Sequence, residues 1–465
     1  MPDERVVVRE VAWLEIFPWL ILLRTFRIAA QPKLLVVAAA GALVTWLGFL
    51  AIGYVFSGTR DDTLKTQIEL LTEPPLDWIP RAELKRLPKE STKPIAQDKS
   101  GSQTSGPDGA PATSTALADL PITVQSSAAE AQQALMARSL GDIPMYRPWE
   151  RLSRPYYALF KSDLTITGFA FHFLCAVWVA VVWTLCGGVI CRTAAMQLAA
   201  EEKISLGRAL KHVQAKWLAY FLGPVGTLLT FVVVTLLIGA VGFILRAEVG
   251  LLIGALLWPI VLALGTLGTL LLAGIFFGWP LMWAAVGVEH SDHYDALSRS
   301  FTYVLSRPLH FLFYLVVTAA IGTLGWLAAA AFAETVIYLS AWAACRGAHP
   351  ELFGQIMSVV PHPWPGAVWP EVDLNDVDGP AWAGLQVIRF WSSLVHLLVV
   401  GFVFSYFWTA ACGTYLLLRY HVDGNELDDI MVDDDETPRE LPPLGTDSQG
   451  VPTAPGEDVE STPGE

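Results

Sequence analysis

Charge is what this chain has least of. Asp, Glu, Lys and Arg make up 16% of its 465 residues, against about a quarter in soluble domains, a shortage that suits a surface facing lipid rather than water. Cysteine is scarce too. Cys175, Cys186, Cys191, Cys345 and Cys412 are scattered, with no C-x-x-C pair, which argues against a disulfide framework or a structural zinc site. The sequence also lacks a G-x-S-x-G, H-E-x-x-H, Walker or dinucleotide motif, so no enzyme class is indicated and no cofactor is expected. No basic stripe interleaved with aromatics points to nucleic acid. The formal charge of −14 is almost wholly local: from Val422 to Glu465 there are fourteen acidic residues and one basic residue, Arg439. That segment, rich in Pro, Gly, Asp and Glu, is too poor in large apolar side chains to fold alone.

What the chain does have is apolar length. Hydrophobic residues reach 53%, with 18 Trp and 22 Phe, the aromatic supply expected of a protein whose spans end at membrane–water interfaces. Apolar runs cover residues 34–56, 166–190, 217–245, 249–288, 309–342 and 387–418, each at or above the roughly 20 residues needed to cross the hydrocarbon. The fold class that follows is all-α, a polytopic membrane bundle of six spans. Residues 1–33 form a cytoplasmic segment whose apolar part, interrupted by Glu15, Pro18, Arg24 and Arg27, reads as an interfacial helix. Residues 57–165 form an outer loop. Its middle, 88–119, lacks periodicity and reads as a disordered linker; Ser127-Ala-Ala-Glu130 opens a short helix by a capping box, and 144–161 is an aromatic lead-in to the membrane. Residues 343–386 form a second outer loop, rich in Trp and Pro, and 419–465 an acidic cytoplasmic tail.

The run 249–288 is long enough to cross twice if the chain turned at Trp258-Pro259. Two observations favour a single crossing, with 249–258 as an entrant or interfacial piece. Basic residues favour cytoplasmic segments; in the six-span arrangement those hold fourteen Lys/Arg, and the short outer segments hold only Arg246, Arg346 and Arg389. In addition, Glu202-x6-Ala209-Leu210 recurs 87 residues on as Glu289-x6-Ala296-Leu297, and a seventh crossing would put the copies on opposite sides. Residues 166–342 are therefore expected to form two repeated helical hairpins of four spans. Their connections should present Leu210 and Val213, or Leu297, Phe301 and Val304, to the spans.

The stretches Gly187-Gly-Val-Ile-Cys-Arg-Thr-Ala-Ala195, Glu202-Lys-Ile-Ser-Leu206, Gly278-Trp-Pro-Leu-Met282, Asp295-Ala-Leu-Ser-Arg-Ser-Phe-Thr-Tyr-Val304, Arg307-Pro308, Tyr415-Leu-Leu-Leu-Arg419 and Val422-Asp-Gly424 resemble a family of multi-pass membrane proteins of planctomycete bacteria. The resemblance runs from the first span to about Ile430, outside the linker. It implies topology and carries no activity. A fainter likeness, through Ala296-Leu-Ser-Arg-Ser and Arg307-Pro308, is to membrane domains found beside glycerophosphodiester phosphodiesterases, for whose catalytic domain this chain has no room.

Three groups of polar residues are candidates for function. Glu289-His290-Ser-Asp292-His293-Tyr-Asp295 could offer His290 and His293 to a divalent metal, although Asp292 equally suits the N-cap of the following helix. Glu202 and Glu289 could gate or coordinate a cation as a related pair, or simply pair with Arg208 and Arg299. His172, Glu334, Arg389 and His396 lie in or near the outer thirds of three spans, where ionisable groups mark functional sites by default or else snorkel to the headgroups. Gly274-x-x-x-Gly278, with Gly265 and Gly268, offers a smooth face for close helix packing. The leading expectation is a non-enzymatic scaffold or assembly factor of the bacterial inner membrane, whose partners are the lipid bilayer and other membrane proteins. The competing expectation is a transporter of a small solute, ion or lipid. A packed apolar centre would favour the first, deep polar residues lining a path the second. Because the linker cannot bury enough apolar surface to offset the entropy of ordering it, deleting 88–119 is expected to leave membrane expression and melting in detergent nearly unchanged. Collapsed expression would instead identify it as a docked element.

Overall fold

Alternating apolar runs and capping residues dictate a chain of helices, and helices are what the computed structural model contains. It describes residues 16–59, 61–72, 146–160, 164–246, 248–347, 349–360 and 379–431, together with a two-residue antiparallel pairing of Gly445–Thr446 with Pro452–Thr453. The linker 88–119 and the capping-box helix after Ser127 lie outside the described residues. In chain order the helices are α1 (Ile21–Ala29), α2 (Pro32–Phe56), α3 (Asp62–Thr72), α4 (Tyr146–Ala158), α5 (Ile166–Leu198), α6 (Leu206–Ile244), α7 (Glu248–Glu289), α8 (His293–Ser306), α9 (Pro308–Ala344), α10 (Pro350–Val359) and α11 (Pro380–Asp423). Six of them, α2, α5, α6, α7, α9 and α11, are long and apolar enough to cross a membrane. The protein is an all-α polytopic bundle.

Local chemistry sets the ends. Proline sits in the first turn of α2, α9, α10 and α11, where its missing N–H costs nothing. Thr165, Ser205 and Asp292 cap α5, α6 and α8 by accepting from the backbone N–H three residues on. Gly424, at φ 73°, ends α11 in the left-handed conformation that glycine adopts without strain.

The centre of the bundle is the crossing of α5, α7 and α11. Trp183 stacks on Phe404 with ring centroids 4.6 Å apart, Trp283 stacks on Trp408 at 4.3 Å, and Trp279 meets Trp408 edge-on at 5.5 Å. Gly187 lets these rings close: a Cβ there would lie 2.9 Å from both Trp283 and Trp408. The indole of Trp183 donates to Thr45 Oγ1 at 3.0 Å and that of Trp283 to the Tyr220 carbonyl at 2.5 Å, so α2 and α6 are tied to the same cluster. Around it α11 packs on α2, α9 and α1, and α6 lies along α7.

Several segments sit differently from the sequence reading. Residues 249–258 are not a separate entrant piece. They belong to α7, which runs unbroken through Pro259 and Pro280 over 42 residues. A proline inside a helix forfeits one hydrogen bond, whereas a turn in apolar surroundings would strand several backbone groups. At about 1.5 Å per residue α7 is about twice the hydrocarbon thickness of about 30 Å, so the excess must be taken up by tilt and by continuation past the hydrocarbon edge. The N-terminal helix is amphipathic as expected, but α1 buries Ile21, Leu22, Thr25, Ile28 and Ala29 against protein, chiefly α11, rather than lying apart at the interface. Ser405 donates to the Ala29 carbonyl at 2.9 Å, a bond that fixes its register. The aromatic lead-in packs directly on the long helices: Tyr156 of α4 donates to the Ala176 carbonyl at 2.9 Å, and Trp149 to that of Phe276 at 3.3 Å. Ala176 is ten residues into α5, about 15 Å along its axis.

Gly401 tests this packing. A Cβ there would lie 2.6 Å from the Leu35 carbonyl oxygen, a backbone atom that cannot swing aside. Gly401→Ala is expected to cost about 1–3 kcal/mol as an overpacked crossing and to lower the melting temperature in detergent. Gly265→Ala, where nothing lies within 4 Å, should leave it unchanged or raise it.

Candidate functional site

The polar residues of the bundle gather where α5 passes to α6, α7 passes to α8, and α11 ends. Glu289, the last residue of α7, is buried with its side chain 9% exposed. Its carboxylate pairs with Arg299 Nη1 at 2.7 Å and Arg419 Nε at 2.8 Å, and accepts from the Tyr415 hydroxyl at 3.0 Å. A carboxylate removed from water is tolerable only with such partners. Arg299 also takes both oxygens of Asp295, at 2.9 and 3.0 Å, and approaches Asp423 at 3.7 Å. Tyr303 donates to Asp423.

The same cluster clamps the start of the tail. Arg419 binds the Asp429 carbonyl and, at 3.1 Å, its carboxylate. The Asn425 amide, with its oxygen turned toward the guanidinium, accepts from Arg419 Nε at 3.2 Å and Nη2 at 2.8 Å. Arg192, fully buried in α5, donates from Nη1 to the carbonyls of Gly287 and Met431, both at 3.0 Å, and the Met431 N–H bonds Val288 at 3.3 Å. The residues after α11 are thereby held against the ends of α5 and α7.

Electrostatics reinforce the clamp on its α8 side. Burial weighs against the Arg299 charge, but bonding to Tyr303 and Asp295 and the attraction of Glu289 outweigh it, so its pKa stands above the ordinary value. Burial and the bond to Asp423 push the Tyr303 phenol up to about 12, so at neutral pH it remains a hydrogen-bond donor. Chemically the cluster is a set of charge-assisted bonds between chain segments.

The repeated glutamates are both paired as the spacing suggested, but unequally. Glu202 meets Arg208 at 3.6 Å with both side chains close to half exposed, whereas Glu289 is buried between two arginines. The equivalence is better at the caps: Ser205 and Asp292 lie 87 residues apart and cap α6 and α8, and Ala209 and Ala296 are both fully buried. Beyond them the copies diverge. The first continues straight into α6, with Val213 buried and Leu210 39% exposed; the second breaks at Arg307-Pro308. There α8 folds back on α7, with Phe301 closing on Gly274 and Ser300 beside Gly278, and α9 leans on α11 and α1. Gly274 and Gly278 thus serve close packing, while Gly265 faces open space.

The remaining candidates separate. His290, at φ 56°, turns toward His212 with ring centroids 4.5 Å apart, and His293 lies against Tyr294. Asp292 acts as the N-cap, and among the described residues no group of three His, Cys, Asp or Glu could hold a metal ion. Of the four outer polar residues, Glu334 and His396 converge at 3.7 Å, both largely buried. His172 is buried elsewhere, bonded to the Gly168 carbonyl at 2.8 Å, and Arg389 is exposed. Sequence reasoning did not single out Arg192, Arg419, Tyr415, Asp423 and Asp429. The first two end apolar runs and read as ordinary positive flanks, although Arg192, Tyr415, Arg419 and Asp423 fall within the stretches that carried the family resemblance.

The inequality of the two glutamates sets a prediction. Glu289→Gln leaves two arginines short of a buried counter-charge and is expected to destabilise by about 3–5 kcal/mol. Glu202→Gln should change stability by no more than about 1 kcal/mol. Melting of the single and double variants in detergent at neutral pH checks both, and equal effects would contradict the asymmetry. Compared with family models, with curated proteins and with solved structures, the chain matches none of them.

Proposed function

We propose that this protein is a non-enzymatic scaffold or assembly factor of a bacterial inner membrane, with both termini in the cytoplasm and the acidic tail offered to protein partners. The observation that carries this reading is the bundle centre. Trp183, Trp279, Trp283 and Trp408 fill the crossing of α5, α7 and α11 with closely packed rings, a packed apolar middle rather than a polar path. The clamp supports it from the other direction: Arg192 and Arg419 anchor residues 425–431, so the ten acidic residues that follow in the sequence begin from a fixed point. So many carboxylates after an anchored segment suit recognition by a basic partner surface. The second reading, transport of a small solute, ion or lipid, has one observation in its favour, two apolar clefts beside α7, one of about 290 Å³ against α4, α5 and α6 and one of about 310 Å³ against α4, α9 and α11.

Proteoliposomes separate the two. Vesicles containing the purified protein are expected to pass Na⁺, K⁺ and protons, and to scramble fluorescent phospholipid, no faster than empty vesicles. In intact cells a photo-crosslinking residue at Asp434 or Asp447 should trap discrete protein neighbours, and a cysteine at the same positions should label with an impermeant thiol reagent only after permeabilisation. Flux above background would replace the scaffold by a transporter, and labelling of intact cells would put the tail outside.

A further inference from the structure

The cations at the Glu289 end of the bundle form two sets. Arg192, Arg299 and Arg419 are engaged in the clamp. The second set, Lys203, Arg208, Lys211 and Lys216, lies at the turn from α5 to α6 and along the first turns of α6. Two carboxylates stand close by. Glu202 reaches Arg208 at 3.6 Å, and Glu201 is taken by Arg24 at 2.6 Å. Among the described residues no carboxylate pairs with Lys203, Lys211 or Lys216, and Lys203 and Lys211 are exposed. Lys33 brings a further ammonium to the same turn, where it donates to the Ile204 carbonyl at 3.0 Å.

This basic strip starts beside the clamp. Lys216 donates to the His290 carbonyl at 2.8 Å, two residues past Val288, whose carbonyl accepts from the Met431 N–H at 3.3 Å. Met431 is the last described residue of its stretch, and the sequence goes on as Val432-Asp433-Asp434-Asp435-Glu436. Four consecutive carboxylates therefore begin two residues from a fixed point. At about 3.5 Å per extended residue they reach about 7 to 18 Å from Met431. At about 1.5 Å per helical residue, Lys211 and Arg208 lie about 8 and 12 Å along α6 from Lys216.

From this match of reach and charge we propose that residues 433–436 dock on the strip formed by Lys203, Arg208 and Lys211, an intramolecular contact that a basic partner surface must displace to engage the tail. The docking rests on chain length and charge, whereas its role as a gate rests on the tail-recognition reading proposed above. Tethered a few residues away, these carboxylates act at an effective concentration of about millimolar, an advantage that no anion recruited from solution shares. Each exposed ion pair is weak alone and screened by salt, so a multivalent cationic surface can open the contact.

The test uses the full chain in an uncharged detergent. A carbodiimide, which condenses a carboxylate with an amine to an amide, is applied at low salt and at about 1 M NaCl, where the Debye length is about 3 Å, and the monomer is mapped by mass spectrometry. Amides from residues 433–436 to Lys203 or Lys211 are expected at low salt and should be largely lost at high salt. Fluorescent decalysine then stands in for a basic partner. Lys203→Gln with Arg208→Gln and Lys211→Gln should bind it about tenfold more tightly than the unaltered chain, equivalent to about 1.4 kcal/mol. The same three changes should have little effect once Asp433→Asn, Asp434→Asn, Asp435→Asn and Glu436→Gln have neutralised the docking segment, the coupling expected of groups in contact. A gain that persists in full in that background would reduce the effect to simple repulsion of decalysine and overturn the proposal. Low-salt amides that avoid Lys203 and Lys211 would overturn it as well. So would amides that form in phosphatidylcholine nanodiscs but vanish in phosphatidylglycerol ones, because the strip would then belong to anionic headgroups. The cross-link is read on the unaltered chain, so the outcome does not depend on the folding of any variant. Its failure leaves the scaffold reading standing, and a lack of basic neighbours in the cell leaves the docked segment standing.

Discussion

Within a bilayer an apolar side chain gains little by exchanging lipid for a neighbouring helix, so the helices of this protein need contacts that lipid cannot match. The crossing at Gly187 provides them. With no Cβ in the way, Trp283 and Trp408 close over α5, and rings stacked at 4.3–4.6 Å gain the dense dispersion contact that flexible acyl chains do not offer. Because Trp183 and Trp283 also bond to Thr45 and Tyr220, this one junction positions five of the six long helices. The position of α9 then follows from α11, through contacts such as the Tyr406 hydroxyl donating to the Thr318 carbonyl at 2.9 Å.

The two ends of the bundle carry different burdens. At the Glu289 end, buried charge is satisfied by other buried charge, which fixes where α8 folds back and where the tail begins. Removing any one member would strand the others, the usual reason such clusters behave as units. At the opposite end the long helices are apolar and sparsely packed, with Leu252 76% and Leu256 82% exposed. The small second core of Ile337, Met357, Val360 and Leu385 joins α9, α10 and α11 there. Between the ends, α4 lies beside the spans, with Leu152 and Tyr156 in the wall of one apolar cleft and Trp149 in that of another.

The 87-residue repeat shows how far a spacing can be trusted. Cap, buried alanine and glutamate recur in register, because each is a local requirement of a helix start. The burial of Glu289 and the exposure of Glu202 are not local. They depend on whether Arg419 and Tyr415, more than a hundred residues away, arrive at that corner, and α11 reaches only one of the two.

Length and period of apolar runs, positions of proline and capping side chains, and the concentration of acid after Val422 were enough for the sequence by itself to determine an all-α bundle with six long apolar helices. These are properties of consecutive residues read against a bilayer of known thickness. Only the tertiary structure decided that α1 packs its apolar face against the bundle, that α7 runs unbroken through Pro259, that α4 lies beside the spans, and that Arg192 and Arg419 hold the tail. An amphipathic helix has the same pattern whether its apolar face meets lipid or protein, and an arginine at the end of a span looks the same whether it meets headgroups or a buried carbonyl. The choice between them is made by segments far away in sequence.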